Sequence, residues 1–272
     1  MSNDYITVVP FALERGMIQA QGDTTTVRVL TLNTGMLADI TVQTPNGEIS
    51  YDGDAKIDGV PNTSAPIEIN FLDTAGSVAG SLLPTGQVLD TFDLGDFGSL
   101  DATCIDNGML MVLVCVADLN RTAYESVADL NADTELKATL ERLRLVAAEK
   151  MGLGDVRDKN YPKMCLFNKA IDGSAIHTRC FIPHVCHDAV GVVAAVTVAT
   201  ACVMRGTVAD GLSNVQAAFD AKSTISVEHP SGEFSVVLTL DSQGMVTSSA
   251  LLRTARLIMR GEVMILNHVQ FR

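Results

Sequence analysis

Between Thr24 and Leu94, apolar and polar positions alternate in short runs broken by turn residues. Thr24-Thr25-Thr26-Val27-Arg28-Val29-Leu30-Thr31-Leu32 is β-branched and alternating, the period of a half-buried strand. Asn33-Thr34-Gly35 reads as a turn, and Ile40-Thr41-Val42-Gln43 as the strand resumed. Pro45-Asn46-Gly47 carries the Asn-Gly hairpin signal, and Asp52-Gly53, Asp58-Gly59 and Pro84-Thr85-Gly86 punctuate the rest. Ahead of this region, Pro10-Phe11-Ala12-Leu13-Glu14-Arg15-Gly16-Met17-Ile18 reads as the end of an apolar helix with no beginning.

Near Thr91–Asp101 the pattern changes. Two strands follow, the second at Met109–Val116. The period then becomes helical from about Asp133 to Met151. Leu136, Leu140, Leu143 and Ala147 share one face, Asp133 is placed as the N-cap, and Gly152 and Gly154 stop the helix. Met164-Cys165-Leu166-Phe167 is a short strand. Ile176 to Ile182 alternates and is expected to lead directly into a second helix, from about Asp188 to Arg205. That helix is apolar all round, so it must be enclosed by sheet. A final hairpin surrounds Asp241-Ser242-Gln243-Gly244. An apolar helix wrapped by strands thus occurs at 4–94 and again at 100–250, which predicts an α+β protein of two similar domains, each a curved sheet around one helix. The expected bounds are 1–94, 95–252, and a closing segment 253–272 that returns to the first domain.

Composition narrows the partners. Hydrophobic residues make up 47% of the 272 positions, enough for a large core and too many for a disordered chain. The net charge of -13 repels nucleic acid and anionic membrane, but leaves room for a local cationic pocket that takes a small acid. None of the six cysteines forms a CxxC pair, and most lie in apolar runs, so a reducing cytoplasm is expected. Met1-Ser2-Asn3-Asp4 does not open a signal peptide, and the apolar run 189–204 is too short to span a bilayer.

Phosphate loops, GxSxG and HExxH are missing, and no metal ligands recur at a recognisable spacing. His184, Cys186 and His187 are close in sequence, but no second ligand cluster accompanies them, so no metal is expected. The junction Pro183-His184-Val185-Cys186-His187-Asp188 is the best chemical candidate. A helix N-terminus there favours a carboxylate, would lower the Cys186 thiol pKa, and would place His187 to donate or accept a proton. The plain alternative makes Asp188 an N-cap and Cys186 core. His229-Pro230-Ser231-Gly232 reads as a turn between strands. Arg253 and Arg256 would share one face if helical, ready either for a polycarboxylate or for surface ion pairs.

The chain resembles the PrpF family of the diaminopimelate-epimerase-like superfamily. That family includes 2-methylaconitate cis-trans isomerase, methylitaconate isomerase and 4-oxalomesaconate tautomerase. The resembling stretches are Pro10 to Gly16, Thr24 to Arg28 through Asn33-Thr34-Gly35, Tyr51 to Asp54 through Asp58-Gly59-Val60-Pro61, and Ala65-Pro66-Ile67. They continue through Phe71 to Ser77, Leu82 to Gly86, His229-Pro230-Ser231-Gly232 and Arg253-Thr254-Ala255-Arg256. The resemblance covers nearly the whole chain and is loosest between about 95 and 225. It implies two domains, each a mixed curved sheet around a central helix, with the active site in the cleft between them. It also implies cofactor-free movement of a proton between carbons of an unsaturated polycarboxylate, of aconitate or itaconate type, by an acid/base pair facing the substrate from two sides.

Carried over residue by residue, the resemblance makes His187 an acid/base group, and Cys186 beside it is expected to be catalytic as well. Asn3, Asp188, Ala189, His229, Ser231, Gly232 and Arg253 become substrate-binding positions. Family members start well upstream with strands that complete the first domain, a lysine implicated as base, and a Cys-Gly-Asn motif at the first central helix. Here Met1-Ser2-Asn3 stands at that motif, so only Asn3 matches. The first domain is therefore expected to be incomplete and catalysis impaired. The chain is expected to form a homo-oligomer through residues 1–94 or to take a complementing N-terminal fragment. A non-catalytic remnant that binds carboxylates or protein, and one chain of a split isomerase, are the competing expectations.

Overall fold

The computed structural model describes residues 2–32, 36–57, 60–215, 221–259 and 261, with side chains described from Ile6 onward. The expected turns at Asn33-Thr34-Gly35 and Asp58-Gly59 therefore lie wholly or largely outside the described residues. Helix α1 (Ser2–Glu14) precedes strands β1 (Thr24–Leu30), β2 (Leu37–Gln43), β3 (Pro66–Phe71), β4 (Asp90–Asp93), β5 (Ser99–Asp106) and β6 (Leu110–Cys115). Helices α2 (Val127–Ala132) and α3 (Thr134–Lys150) then lead to β7 (Lys163–Asn168) and β8 (Ile176–Phe181). Helix α4 (Val192–Val203) is followed by β9 (Lys222–His229), β10 (Gly232–Leu240) and β11 (Val246–Thr254).

The eleven strands among the described residues join one sheet in the order β1-β2-β3-β11-β10-β9-β8-β7-β6-β5-β4. β11 makes it continuous. One edge pairs with β10 (Val236 with Leu251) and the other with β3 (Arg253 with Ile67), so a single sheet runs through this strand. The closing segment expected from 253 begins inside β11, and residues 260 and 262–272 lie outside the described residues. Most neighbours are antiparallel. β6–β7 and β8–β9 are parallel and need crossovers, which carry α2 with α3 and α4 respectively.

These crossovers bury the central strands on both faces. Met111 and Leu113 of β6 pack with α4 in one core, while Leu110, Val112 and Val114 pack with α3 in another. β6 is accordingly a continuous apolar run, as strands covered on both sides are. α3 forms as its sequence predicts: Asp133 accepts the Leu136 amide at 2.9 Å, and Leu136, Leu140, Leu143 and Ala147 are buried. Residues 194–201 of α4 are all buried, against β5, β6, β9, β10 and β11, as its uniform apolarity requires.

Three local expectations change. Asn46 and Gly47 adopt the positive φ (58° and 82°) that the Asn-Gly signal demands, but they close a 3-10 turn rather than a hairpin. The described residues between there and 65 form no named strand or helix, and β2 pairs with β1 and β3 instead. β8 does not alternate; His177, Thr178 and Arg179 are buried with their apolar neighbours. The segment around Ala123 and Glu125 covers them: His177 Nε2 lies 2.9 Å from the Ala123 carbonyl, and Arg179 reaches the Glu125 carbonyl at 3.4 Å. α4 does not start at Asp188. Residues 182–187 fold back on β8, with Ile182 N–H donating to the Val185 carbonyl and His187 N–H to the Cys180 carbonyl. Helical winding therefore begins only after Gly191, which is the N-cap, and ends at Val203.

Candidate active site

The loop 182–191 delivers His187 to the mouth of α4. Its backbone amide is committed to Cys180, and ring Nδ1 turns back on its own loop, 2.8 Å from the Ala189 carbonyl and 3.1 Å from the Ala189 amide. His187 is exposed, and among the described residues no hydrogen bond engages Nε2, which is thereby open to a ligand. Gly191 offers no side chain to cap the first turn of α4, so among the described residues no side-chain cap takes the amides there. Such a terminus draws anions.

The hairpin between β9 and β10 closes against this loop. His229 pairs with Gly232 across a two-residue turn of Pro230 and Ser231. Gly232 holds φ at 139°, which side chains rarely adopt. Ser231 Oγ donates to the Asp188 carbonyl at 2.6 Å, and His229 Nδ1 lies 3.3 Å from both the Ser231 amide and its hydroxyl. Next to the turn, Phe234 joins the hairpin to β11. Its ring centroid is 5.9 Å from that of His229, and the Arg253 guanidinium stacks over it at 3.7 Å. Burial brings the Arg253 pKa down to about 10, with nearby Glu233 opposing the fall. Among the described ion pairs none engages Arg253; its Nη1 donates to the Leu252 carbonyl at 2.7 Å.

His187, Asp188, Ala189, His229, Ser231, Gly232 and Arg253, far apart in sequence, are thus linked through contacts between the pre-helix loop, one hairpin and β11. Asn3 lies in α1, but its side chain is outside the described residues. The expected activation of Cys186 is corrected. The residue sits six positions before α4, out of reach of its first turn, and is 2% exposed within the α3-side core. Burial pushes its thiol up to about 11, the Arg179 charge offsetting this only in part. The helical pairing of Arg253 and Arg256 is also corrected. Arg253 lies in β11, and Arg256 lies beyond it, beside Tyr51 and Asp52 in a surface hollow. His184 turns to Glu141 of α3 at 3.5 Å, and no metal-holding group of three or more His, Cys, Asp or Glu is formed among the described residues.

Phe234 and Gly191 were not expected. Phe234 had a signal, an aromatic two residues beyond a Pro-Ser-Gly turn. Gly191 is a permitted N-cap, and its claim was masked by Asp188, a stronger capping type.

The comparisons with known proteins agree with this architecture. The family model described as PrpF protein matches residues 2–266. The (4E)-oxalomesaconate Delta-isomerase of Novosphingobium sp. is 48% identical over 95% of this chain and 70% of its own length. The 4-oxalomesaconate tautomerase of Pseudomonas putida is 46% identical over 95% of this chain and 69% of its own. A crystal structure of methylitaconate-delta-isomerase, 29% identical, superposes with a TM-score of 0.81 over 94% of this chain and 70% of that one. By sequence along its length, and by an α+β fold shared with methylitaconate-delta-isomerase, the chain belongs to the PrpF family.

Proposed function

We propose that the protein is a cofactor-independent isomerase that moves a proton between carbons of an unsaturated polycarboxylate. The observation that carries this reading is the chain of contacts that ties the His187 loop, through Ser231, His229 and Phe234, to the Arg253 cation, with His187 Nε2 left open among the described residues. Arg253 and the α4 terminus take substrate carboxylates and thereby favour the negative charge that develops when a carbon beside one of them loses its proton. His187 Nε2 removes that proton, breaking a C–H and forming an N–H bond. Returning a proton to the far carbon of the allylic system moves the double bond, with no net change in atoms or electrons. Ser231 fixes the loop that carries His187 through its bond to Asp188, and Gly232 permits the turn that brings Ser231 there. The names of the relatives support an oxo-tricarboxylate such as oxalomesaconate ahead of aconitate or itaconate. Cysteine usage supports work in a reducing cytoplasm.

The test is solvent deuterium. The protein in deuterated water should wash label into oxalomesaconate, trans-aconitate or methylitaconate, followed by proton NMR. His187→Ala should slow this by about 10²–10⁴-fold. Exchange undiminished in that variant would remove His187 from the reaction.

A further inference from the structure

The loop that carries His187 is held from behind by a residue on a different element. Cys186 N–H donates to Asn131 Oδ1 at 2.8 Å, and Asn131 Nδ2 reaches the Cys186 carbonyl at 3.4 Å, across 55 positions of sequence. Cys186 meets Phe181 of β8 as an isolated antiparallel bridge, whose hydrogen bonds are made by the flanking residues. In that arrangement the peptide groups of Cys186 itself point away from β8. The Asn131 carboxamide fills the vacant side as a third strand would, offering one acceptor and one donor in peptide-like geometry. Only Asn and Gln side chains provide that pair.

Asn131 stands on a well-anchored platform. Its helix, α2, is N-capped by Ser126, which accepts the Asp129 amide at 3.1 Å, and is seated by buried Leu130. The next turn begins at Asp133, which caps α3 and pairs with Arg121 at 2.7 Å. Lys137 Nζ reaches the Asn131 carbonyl at 3.4 Å. The residue immediately before His187 is thus held twice, by its thiol packed in the α3-side core and by the Asn131 carboxamide on its peptide groups.

We propose that Asn131 is a positioning residue for His187: its carboxamide fixes the Cys186 peptide and so sets where the His187 ring stands at the mouth of α4. The inference rests on the reading of His187 as the proton carrier only for its effect on rate. Asn131→Ala removes both bonds. Asn131→Asp keeps size and acceptor but places a lone pair where the Cys186 carbonyl needs a donor, and it carries the test if the alanine variant does not fold. Each variant is examined by amide hydrogen exchange at Cys186, by NMR of the His187 ring, and by kcat and KM with oxalomesaconate. The expected result is lost protection at Cys186 in Asn131→Ala and a displaced His187 ring signal in both variants. His177 should be unmoved, and kcat should fall about 10–100-fold with KM nearly constant. Parental Cys186 protection and an unmoved His187 ring in both variants would overturn the proposal, as would a displaced ring with parental kcat in a protein whose rate depends on His187. If the ring moves while His187→Ala leaves the rate intact, the positioning stands and the isomerase reading fails.

Discussion

Replacing Arg253 by Met separates what this arginine does for the fold from what it does for the substrate. The guanidinium stacks 3.7 Å over Phe234 and donates to the Leu252 carbonyl at 2.7 Å. Burial holds its pKa at about 10, whereas an ordinary guanidinium lies above about 12, and each pKa unit is worth about 1.4 kcal/mol. Keeping the charge therefore costs the fold at most about 3 kcal/mol, and access of solvent trims this to about 1–2 kcal/mol. The folded pKa is the lower one, so this cost is fully present at neutral pH and fades only as pH rises above about 10. Against it stand a cation–π contact of about 1 kcal/mol and one charge-assisted hydrogen bond of about 1–2 kcal/mol. Methionine recovers part of the ring contact. The terms nearly cancel, so Arg253→Met should unfold within about 3 °C of the parent, at roughly 2–4 °C per kcal/mol. Substrate binding has no such compensation. Loss of a charged donor to a carboxylate costs about 1.5–3 kcal/mol, or roughly 10–150-fold in KM. Thermal unfolding and steady-state kinetics on the same preparation decide the matter. An unchanged KM would refute the assignment of Arg253 to the substrate, and a midpoint far below that window would refute the near-cancellation in the fold.

Cys186, with its thiol raised to about 11, should resist iodoacetamide at pH 7.5 until the protein is unfolded, and Cys186→Ala should keep its kcat; rapid labelling of the native protein would contradict its burial. The Arg121 bond, and after it the Leu136 amide, holds Asp133 below the ordinary carboxyl range. Its contribution is therefore present above about pH 4 and lost as pH falls through its folded value. Asp133→Ala should cost about 1 kcal/mol at pH 7, and the gap in urea midpoints should narrow in acid; a gap independent of pH would show that the charge is idle.

Much of this architecture was legible because period and burial coincide. α3 has one apolar face and one solvated face, so spacing alone located it, and the capping role of Asp133 followed from residue type. The enclosure of α4 was legible for the opposite reason, since a helix without a polar face has nowhere else to go. What escaped was settled by contacts distant in sequence. Nothing near Asp188 signals that residues 182–187 will pair back onto β8, a bond pattern that delays the helix to Gly191 and buries the Cys186 thiol. The polar run His177-Thr178-Arg179 read as alternation because the covering loop lies more than 50 residues away. Asn131 had no signal at all, since an asparagine acting as a surrogate strand is identical in sequence to one facing water.

The position of β11 also orders events in time. β1, β2 and β3 are complete by residue 71, and β4 to β10 by residue 240, yet the two groups share no strand pairing except through residues 246–254. During synthesis the early group must wait for nearly the whole of the described chain before its inner edge is covered. Pairing at that sequence separation closes slowly and leaves an open edge exposed meanwhile. Among the described strands, the one that joins the two groups is thus synthesised last.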